Sequence, residues 1–230
     1  MALKGEGAAR LREVDRWDGG AGWIAYPEEG MERASHALAV DGRVWVVDPV
    51  DAPGVDDLLA EFGEVAGVVV GLDRHRRDAA ALANRHGASV YLPEWMTGVA
   101  RDLDAPVERY GFELADTGFR AIPVRNSSLP KWQEVALYRE SDGTLVVPEA
   151  VGTAAYYRAP GERLGVHPLL RLVPPRHALS WLEPERVLVG HGAGVFDDAT
   201  GALREALANA RRRLPAAYAG VLRSTLSRRL

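Results

Sequence analysis

GLDRHRRDA, Gly71 to Ala79, is the densest polar stretch in the chain, and it directly follows the apolar run VAGVVV, Val65 to Val70. A buried strand that runs into a polar turn and then a helix is where α/β proteins place ligands. The turn projects Asp73, His75, Arg77 and Asp78 from one short segment. Two carboxylates and an imidazole within six residues suit a divalent metal. The same residues also suit a helix N-cap with an Arg–Asp pair.

Outward from this stretch, short apolar runs alternate with helical patterns. Val44 to Val47, Val65 to Val70, Ser89 to Leu92, Phe119 to Val124, Glu134 to Tyr138, Thr144 to Val147 and Arg186 to Gly190 read as strands. Their near-continuous apolarity predicts sheets covered on both faces. Val55, Leu58, Leu59 and Phe62 follow a Pro53-Gly54 turn at helical spacing. Ala79, Leu82 and Ala83 make a second helix that Gly87 closes. Leu203, Ala206, Leu207, Ala210 and Leu214 make a third, stopped by Pro215, and Tyr218, Val221, Leu222 and Thr225 continue at helical spacing. VALYRESDGTLVV is a hairpin around Asp142-Gly143. A hairpin late in an α/β pattern points to two sheets or one mixed sheet. Tyr156 to Pro175, rich in Pro, Gly and Arg, reads as a long ordered loop or a domain boundary.

The length of 230 residues suits one large domain, 1–230. Net charge is −4, which argues against a global nucleic-acid footprint. Hydrophobic residues at 47% and charged residues at 26% fit an ordinary globule. Cysteine is absent, which excludes disulfides, zinc fingers, iron–sulfur clusters and a thiol nucleophile. With no long apolar run and no signal-like start, a cytoplasmic protein away from membranes is expected. The basic C-terminal segment, 202–230, carries seven arginines against one glutamate, a local charge of +6 that leaves −10 on the rest. It is either a solvated helix face, with Leu203, Leu207 and Leu214 inward, or a surface for an anionic partner.

Three further positions end strands. Asp48 closes VVDPVD, Glu149 follows the hairpin, and His191 sits in VLVGHGAG between Gly190 and Gly192, whose small size leaves an imidazole accessible. In this order the motifs resemble the metallo-β-lactamase fold superfamily, over roughly Gly22 to Ala210. That family has a T-H-x-H-x-D-H turn, a G-H-(T/S)-P-G stretch before a hairpin, G-D at the hairpin's end and a final G-H. Here Asp73 stands for the first family histidine, His75 keeps the second, Arg77 replaces the aspartate and Asp78 the last histidine. The G-H-(T/S)-P-G stretch falls near Leu129-Pro130-Lys131-Trp132-Gln133 without its histidine. Glu149 matches the bridging acid, His191 the last ligand, and Asp48 the acid behind the ligands.

The resemblance implies a four-layer αββα sandwich of two mixed sheets with helices outside, and a dinuclear site degenerate in this chain. A guanidinium cannot ligate a metal. Arg77 is therefore expected either in the place of the lost metal, ringed by Asp73, Asp78 and Glu149, or outward on one surface acid. One Zn or Mn held by Asp73, His75 and His191, with Glu149 nearby, stays open, as does no metal at all. His167 and Arg171 on the long loop are candidates to read a substrate anion. Trp132, Lys131, Tyr156 and Tyr157 are candidates to plug the cleft. Asn126-Ser127-Ser128 shows no base beside it, and no P-loop or dinucleotide fingerprint occurs. Three functions follow: a non-catalytic or small-molecule-binding relative, a one-metal hydrolase of an ester, thioester, lactone or phosphoester, and an interaction protein using the C-terminal helix. A homodimer also stays open.

Overall fold

The computed structural model describes Gly5 and residues 8–219. The first sheet has seven strands in sequence order, β1 (Arg12–Trp17), β2 (Gly20–Ile24), β3 (Ala34–Val40), β4 (Arg43–Val47), β5 (Glu64–Val69), β6 (Ser89–Pro93) and β7 (Val107–Tyr110). β1 to β4 form an antiparallel meander, and β4 to β7 run parallel. The change of sense follows from connection length. A tight turn at Asp41-Gly42 returns β3 into β4, whereas α1 (Val55–Ala60) and α2 (Ala79–Arg85) cross over between β4, β5 and β6. The second sheet, ordered β13-β10-β9-β8, joins β8 (Arg120–Ser128), β9 (Lys131–Arg139), β10 (Thr144–Val147) and β13 (Arg186–Val189), with β13 parallel to β10 and the rest antiparallel. β11 (Val151–Gly152) and β12 (Gly165–Val166) form a small ribbon beside it.

The four layers can be read from alternation along single strands. In β4, Val44 and Val46 join the cluster under α1 and α2, which includes Leu58, Leu59, Leu82 and Ala83. Trp45 and Val47 face the other way, into the layer between the sheets, with Val69, Leu137, Val146 and Leu188. In the second sheet Leu145, Val147, Val187 and Val189 turn outward to meet Leu203 and Leu207 of α4 (Ala199–Asn209) and Leu179 of α3 (Arg176–Leu179). The expected αββα sandwich of two mixed sheets is therefore the architecture. Both faces of each sheet are buried, which is why the strands read as continuous apolar runs.

The structure differs from the sequence expectation in several places. Arg12 to Val40 forms three strands that the apolar runs did not reveal. β8 and β9 extend four and three residues further toward their shared turn, so the segment aligned with the family's histidine stretch is a hairpin tip. Gly87 does close α2, with φ +64°. Tyr157, Leu164, Val166 and Leu170 of the long loop are buried, so that loop is packed into the outer layer of the second sheet. The C-terminal helix starts at Ala199, capped by Asp198, whose side chain accepts the Gly201 N–H. The helix ends at Asn209 rather than at Pro215, which lies within a separate helical stretch, 214–219; Leu203 and Leu207 are buried as expected, and Leu214, in that second stretch, is only half-buried. The arginines of this segment are not all free: Arg204 pairs with Glu183 and Arg213 with Glu205, both at 2.8 Å. Tyr218 is exposed; Val221, Leu222, Thr225 and the last three arginines lie outside the described residues. Among the described residues no helix is long and apolar enough to cross a membrane.

The two sheets are stitched together along one edge. Asp73 N–H donates to Gln133 O, Val135 N–H to Gly71 O, and Ala34 N–H to Gly190 O, at 2.9–3.0 Å. Strand ends from both sheets meet there, and there the polar side chains converge.

Candidate metal centre

Asp48 leaves β4 in a left-handed conformation, φ +47°, held because Ser35 Oγ donates to its carbonyl at 3.0 Å and Gly71 N–H to its Oδ1 at 2.8 Å. Its free oxygen, Oδ2, accepts from His75 Nδ1 at 2.9 Å. Glu149 follows β10. Its own N–H and that of Ala150 both donate to Glu134 Oε1, at 2.8 and 2.7 Å, while Trp132 Nε1 donates to Glu134 Oε2 at 2.8 Å. Glu134 is 0% exposed, and burial pushes its carboxyl up to about 7. Tyr157 OH donates to Glu149 O at 2.9 Å. His191 ends β13, and its Nδ1 donates to Met31 O at 2.8 Å.

The glycines beside His191 serve close approach rather than access. A Cβ on Gly190 would lie 2.1 Å from Pro148 O. Gly192, at φ +94°, would put one 2.2 Å from Thr153 Oγ1. The imidazole they flank is 0% exposed, so the expectation of an open histidine is corrected.

These supports aim three atoms at one point. His75 Nε2 lies 3.1 Å and His191 Nε2 2.9 Å from Glu149 Oε2, and the two rings are 5.4 Å apart. The proton count is unusual. A backbone carbonyl only accepts, so His191 Nδ1 carries the hydrogen, and Asp48 likewise takes the hydrogen of His75 Nδ1. In the neutral rings both Nε2 atoms are then bare lone pairs facing a carboxylate oxygen. Burial pushes His191 below its ordinary value, although Glu149 pulls it back. Burial also opposes ionisation of Glu149, whereas His191 and His75, when protonated and donating through Nε2, hold it well below the usual carboxylate range. Three converging acceptors need a shared proton or a cation between them.

The other oxygen of Glu149 is held separately. His167 Nδ1 accepts Leu169 N–H at 3.2 Å, which places its proton on Nε2, 3.4 Å from Glu149 Oε1. Burial lowers His167 to about 4, so it is a neutral donor, fixed by its tautomer against ligating. Arg74 reaches the same oxygen at 3.4 Å and Asp73 Oδ1 at 3.6 Å, with its guanidinium 4.2 Å from the ring centre of Trp132.

The remaining candidates fall in different places. Arg77 is not ringed by carboxylates, nor does it point outward. It donates to Ala34 O at 2.6 Å, Asp48 O at 2.7 Å and Gly190 O at 3.2 Å, because its left-handed backbone (φ +41°) turns the side chain under the strand ends. Asp78 turns away and accepts Asp51 N–H at 2.8 Å. Asp73 is buried beside the centre, its Oδ1 without a hydrogen bond among the described residues and near only Arg74; the cluster of possible ligands is His75, Glu149 and His191. Arg171 reads no substrate: it is fully buried, donating to both Glu162 oxygens and to Tyr157 O. Trp132 and Tyr157 are buried, their rings 5.1 and 5.4 Å from that of His167, and Tyr156 lies 5.9 Å from His191 ring to ring, whereas Lys131 is exposed on the hairpin. Ser127 donates to Leu129 O. Glu134, Arg74 and Met31 were missed. Only Arg74 had a signal, its place inside the polar turn.

No protein-family model matches the chain, and no curated protein matches it in sequence. Solved structures match it in shape. The DIM-1 metallo-β-lactamase, in crystals exposed to ceftazidime, superposes with a TM-score of 0.60 at 14% identity, over 89% of this chain and 100% of that one. The flavodiiron protein from Giardia intestinalis gives 0.61 at 15%, over 88% of this chain and 60% of the other. The apo chemotaxis sensor ODP from T. denticola gives 0.52 at 14%, over 87% and 94%. Sheet order, a site at the joined strand ends and these neighbours agree: the chain has the metallo-β-lactamase fold.

Proposed function

We propose that the protein binds one divalent metal ion through His75 Nε2, Glu149 Oε2 and His191 Nε2, and uses it to hydrolyse an ester-, thioester-, lactone- or phosphoester-type bond. The observation that carries this reading is the acceptor convergence, since two histidines with committed Nδ1 protons and one carboxylate form a donor set suited to zinc or manganese. The surrounding shell also fits: Asp48 and Met31 O orient the imidazoles, as carboxylates and carbonyls behind metal-binding histidines do. A second ion is not accommodated in this reading, because Arg77 and Asp78 stand where its ligands would be and both face elsewhere.

When bound, such an ion supplies Lewis acidity toward a carbonyl or phosphoryl oxygen and a nucleophilic water near neutral pH. The chain's own residues do the positioning. Glu134 fixes the Glu149 backbone, while His167 and Arg74 occupy Oε1 and leave Oε2 free. The Arg74 side chain, 41% exposed at the mouth, presents a positive charge to an oxyanion developing there.

A second reading is a non-catalytic, ligand-binding relative in which the histidines hold protons instead. The 2.9 and 3.1 Å contacts favour it, being hydrogen-bond lengths, shorter than the roughly 3.4 Å between ligand atoms of a tetrahedral ion 2.0–2.1 Å from each. Elemental analysis after incubation with zinc or manganese and desalting separates the two. One equivalent is expected in the parent and less than a tenth of that in His75→Gln and His191→Gln. No retained metal leaves the second reading standing; two equivalents overturn both.

A further inference from the structure

Beyond the centre, β8 and the segment 170–177 enclose a cavity of about 250 Å³. Its walls are apolar along Val124, Leu170, Val173 and Pro174. Arg125 and His177 also line it. Arg125 differs from the other arginines at the site. Arg77 bonds three carbonyls and Arg74 reaches two acids, whereas among the described residues the Arg125 side chain, with its Nε buried, makes no hydrogen bond and pairs with no carboxylate. Its neighbour is the Trp132 ring, 5.9 Å from guanidinium to ring centre, which offsets desolvation only weakly. A half-buried, uncompensated cation on an apolar cavity is the arrangement that an organic anion completes. Inorganic phosphate would neutralise the charge and leave the apolar walls unused. The volume lies below the roughly 300–1,000 Å³ of pockets for drug-sized ligands, which limits the occupant to a small molecule.

We propose that this pocket binds a small organic anion with an apolar body, of the medium-chain carboxylate class, its head on Arg125 and its chain against Val124, Leu170 and Val173. The pocket adjoins the centre through Trp132, whose ring lies near Arg74 as well as Arg125 and whose Nε1 donates to Glu134. Occupancy does not depend on metal.

The test is calorimetric titration of octanoate into the full-length protein after stripping with EDTA. Saturable binding of one equivalent is expected, with 1-octanol at least tenfold weaker because it lacks the charge. Arg125→Gln should weaken octanoate at least tenfold. Val173→Trp, at an exposed position on the rim, should fill the cavity and abolish binding; if Arg125→Gln fails to fold, this variant and octanol still decide. His75→Gln should lose metal and keep octanoate, which separates this pocket from the metal reading. The proposal is overturned if octanol matches octanoate, if folded Arg125→Gln or Val173→Trp binds like the parent, if His75→Gln loses octanoate, or if no saturable binding occurs.

Discussion

Arg77 shows how a single residue type leaves its partner undecided. A guanidinium flanked by acids in sequence is expected among carboxylates, yet here it serves three carbonyls at the ends of β3, β4 and β13. The distinction has a measurable consequence. Arg77→Ala removes a charged donor shared by three carbonyls, of which Asp48 O and Gly190 O keep a second donor in Ser35 Oγ and Ala34 N–H, so a loss on the order of 2–3 kcal/mol is expected in urea unfolding. Arg77→Lys, with one compact ammonium in place of a fork, should recover less than half of it. Added zinc should not restore Arg77→Ala, since no carboxylate is released by the change. Restoration by zinc would instead place Arg77 among the acids. Glu134 was illegible for a related reason. A glutamate within an alternating strand reads as its solvent face, and nothing local shows that the next layer covers it and aims three N–H groups at it.

Strand β1 is tied to the loop after β13 by Asp15, whose carboxylate accepts Gly194 N–H at 2.8 and 3.0 Å. Burial raises this carboxyl to about 6, against the lowering effect of the Gly194 bond. An acid whose folded value lies above its unfolded value binds more protons folded than unfolded between the two. Stability therefore falls as pH rises from about 4 to about 6, then stays low. Asp15→Asn keeps an acceptor for Gly194 and cannot ionise. It should match the parent at pH 4 and exceed it above pH 6.5 by on the order of 2–3 kcal/mol in denaturant unfolding. An equal difference at both pH values would show that charge at this position is immaterial. The same end of the molecule was the least legible in sequence. GAGWI and ASHALAV are rich in Gly and Ala, which have weak strand preference, and they become strands because both faces are covered. The strands from β4 onward are Val-rich, and there pattern and structure agree.

At the scale of the whole molecule, the centre draws on both sheets. His75 comes from the turn after β5, while Glu149 and His191 come from the ends of β10 and β13. The order of strand-end motifs was legible because covalent order sets sheet order in this fold. The detailed ligand set was less so, because which oxygen faces which nitrogen depends on Asp48, Met31 and Glu134, far apart in sequence. An ion bound there would cross-link the two sheets in the folded state alone, since the unfolded chain separates these ligands by dozens of residues. Ligand linkage then gives the size of the effect. Zinc or manganese at a hundred times its dissociation constant should add about 2.7 kcal/mol. For a domain of this length that corresponds to a rise in Tm of roughly 5–10 °C. EDTA should reverse it. His191→Gln should show neither the rise nor the reversal, while Asp78→Asn, outside the cluster, should behave as the parent does. A parent Tm indifferent to both metal and EDTA would mean that protons, not an ion, hold the two sheets together at this point.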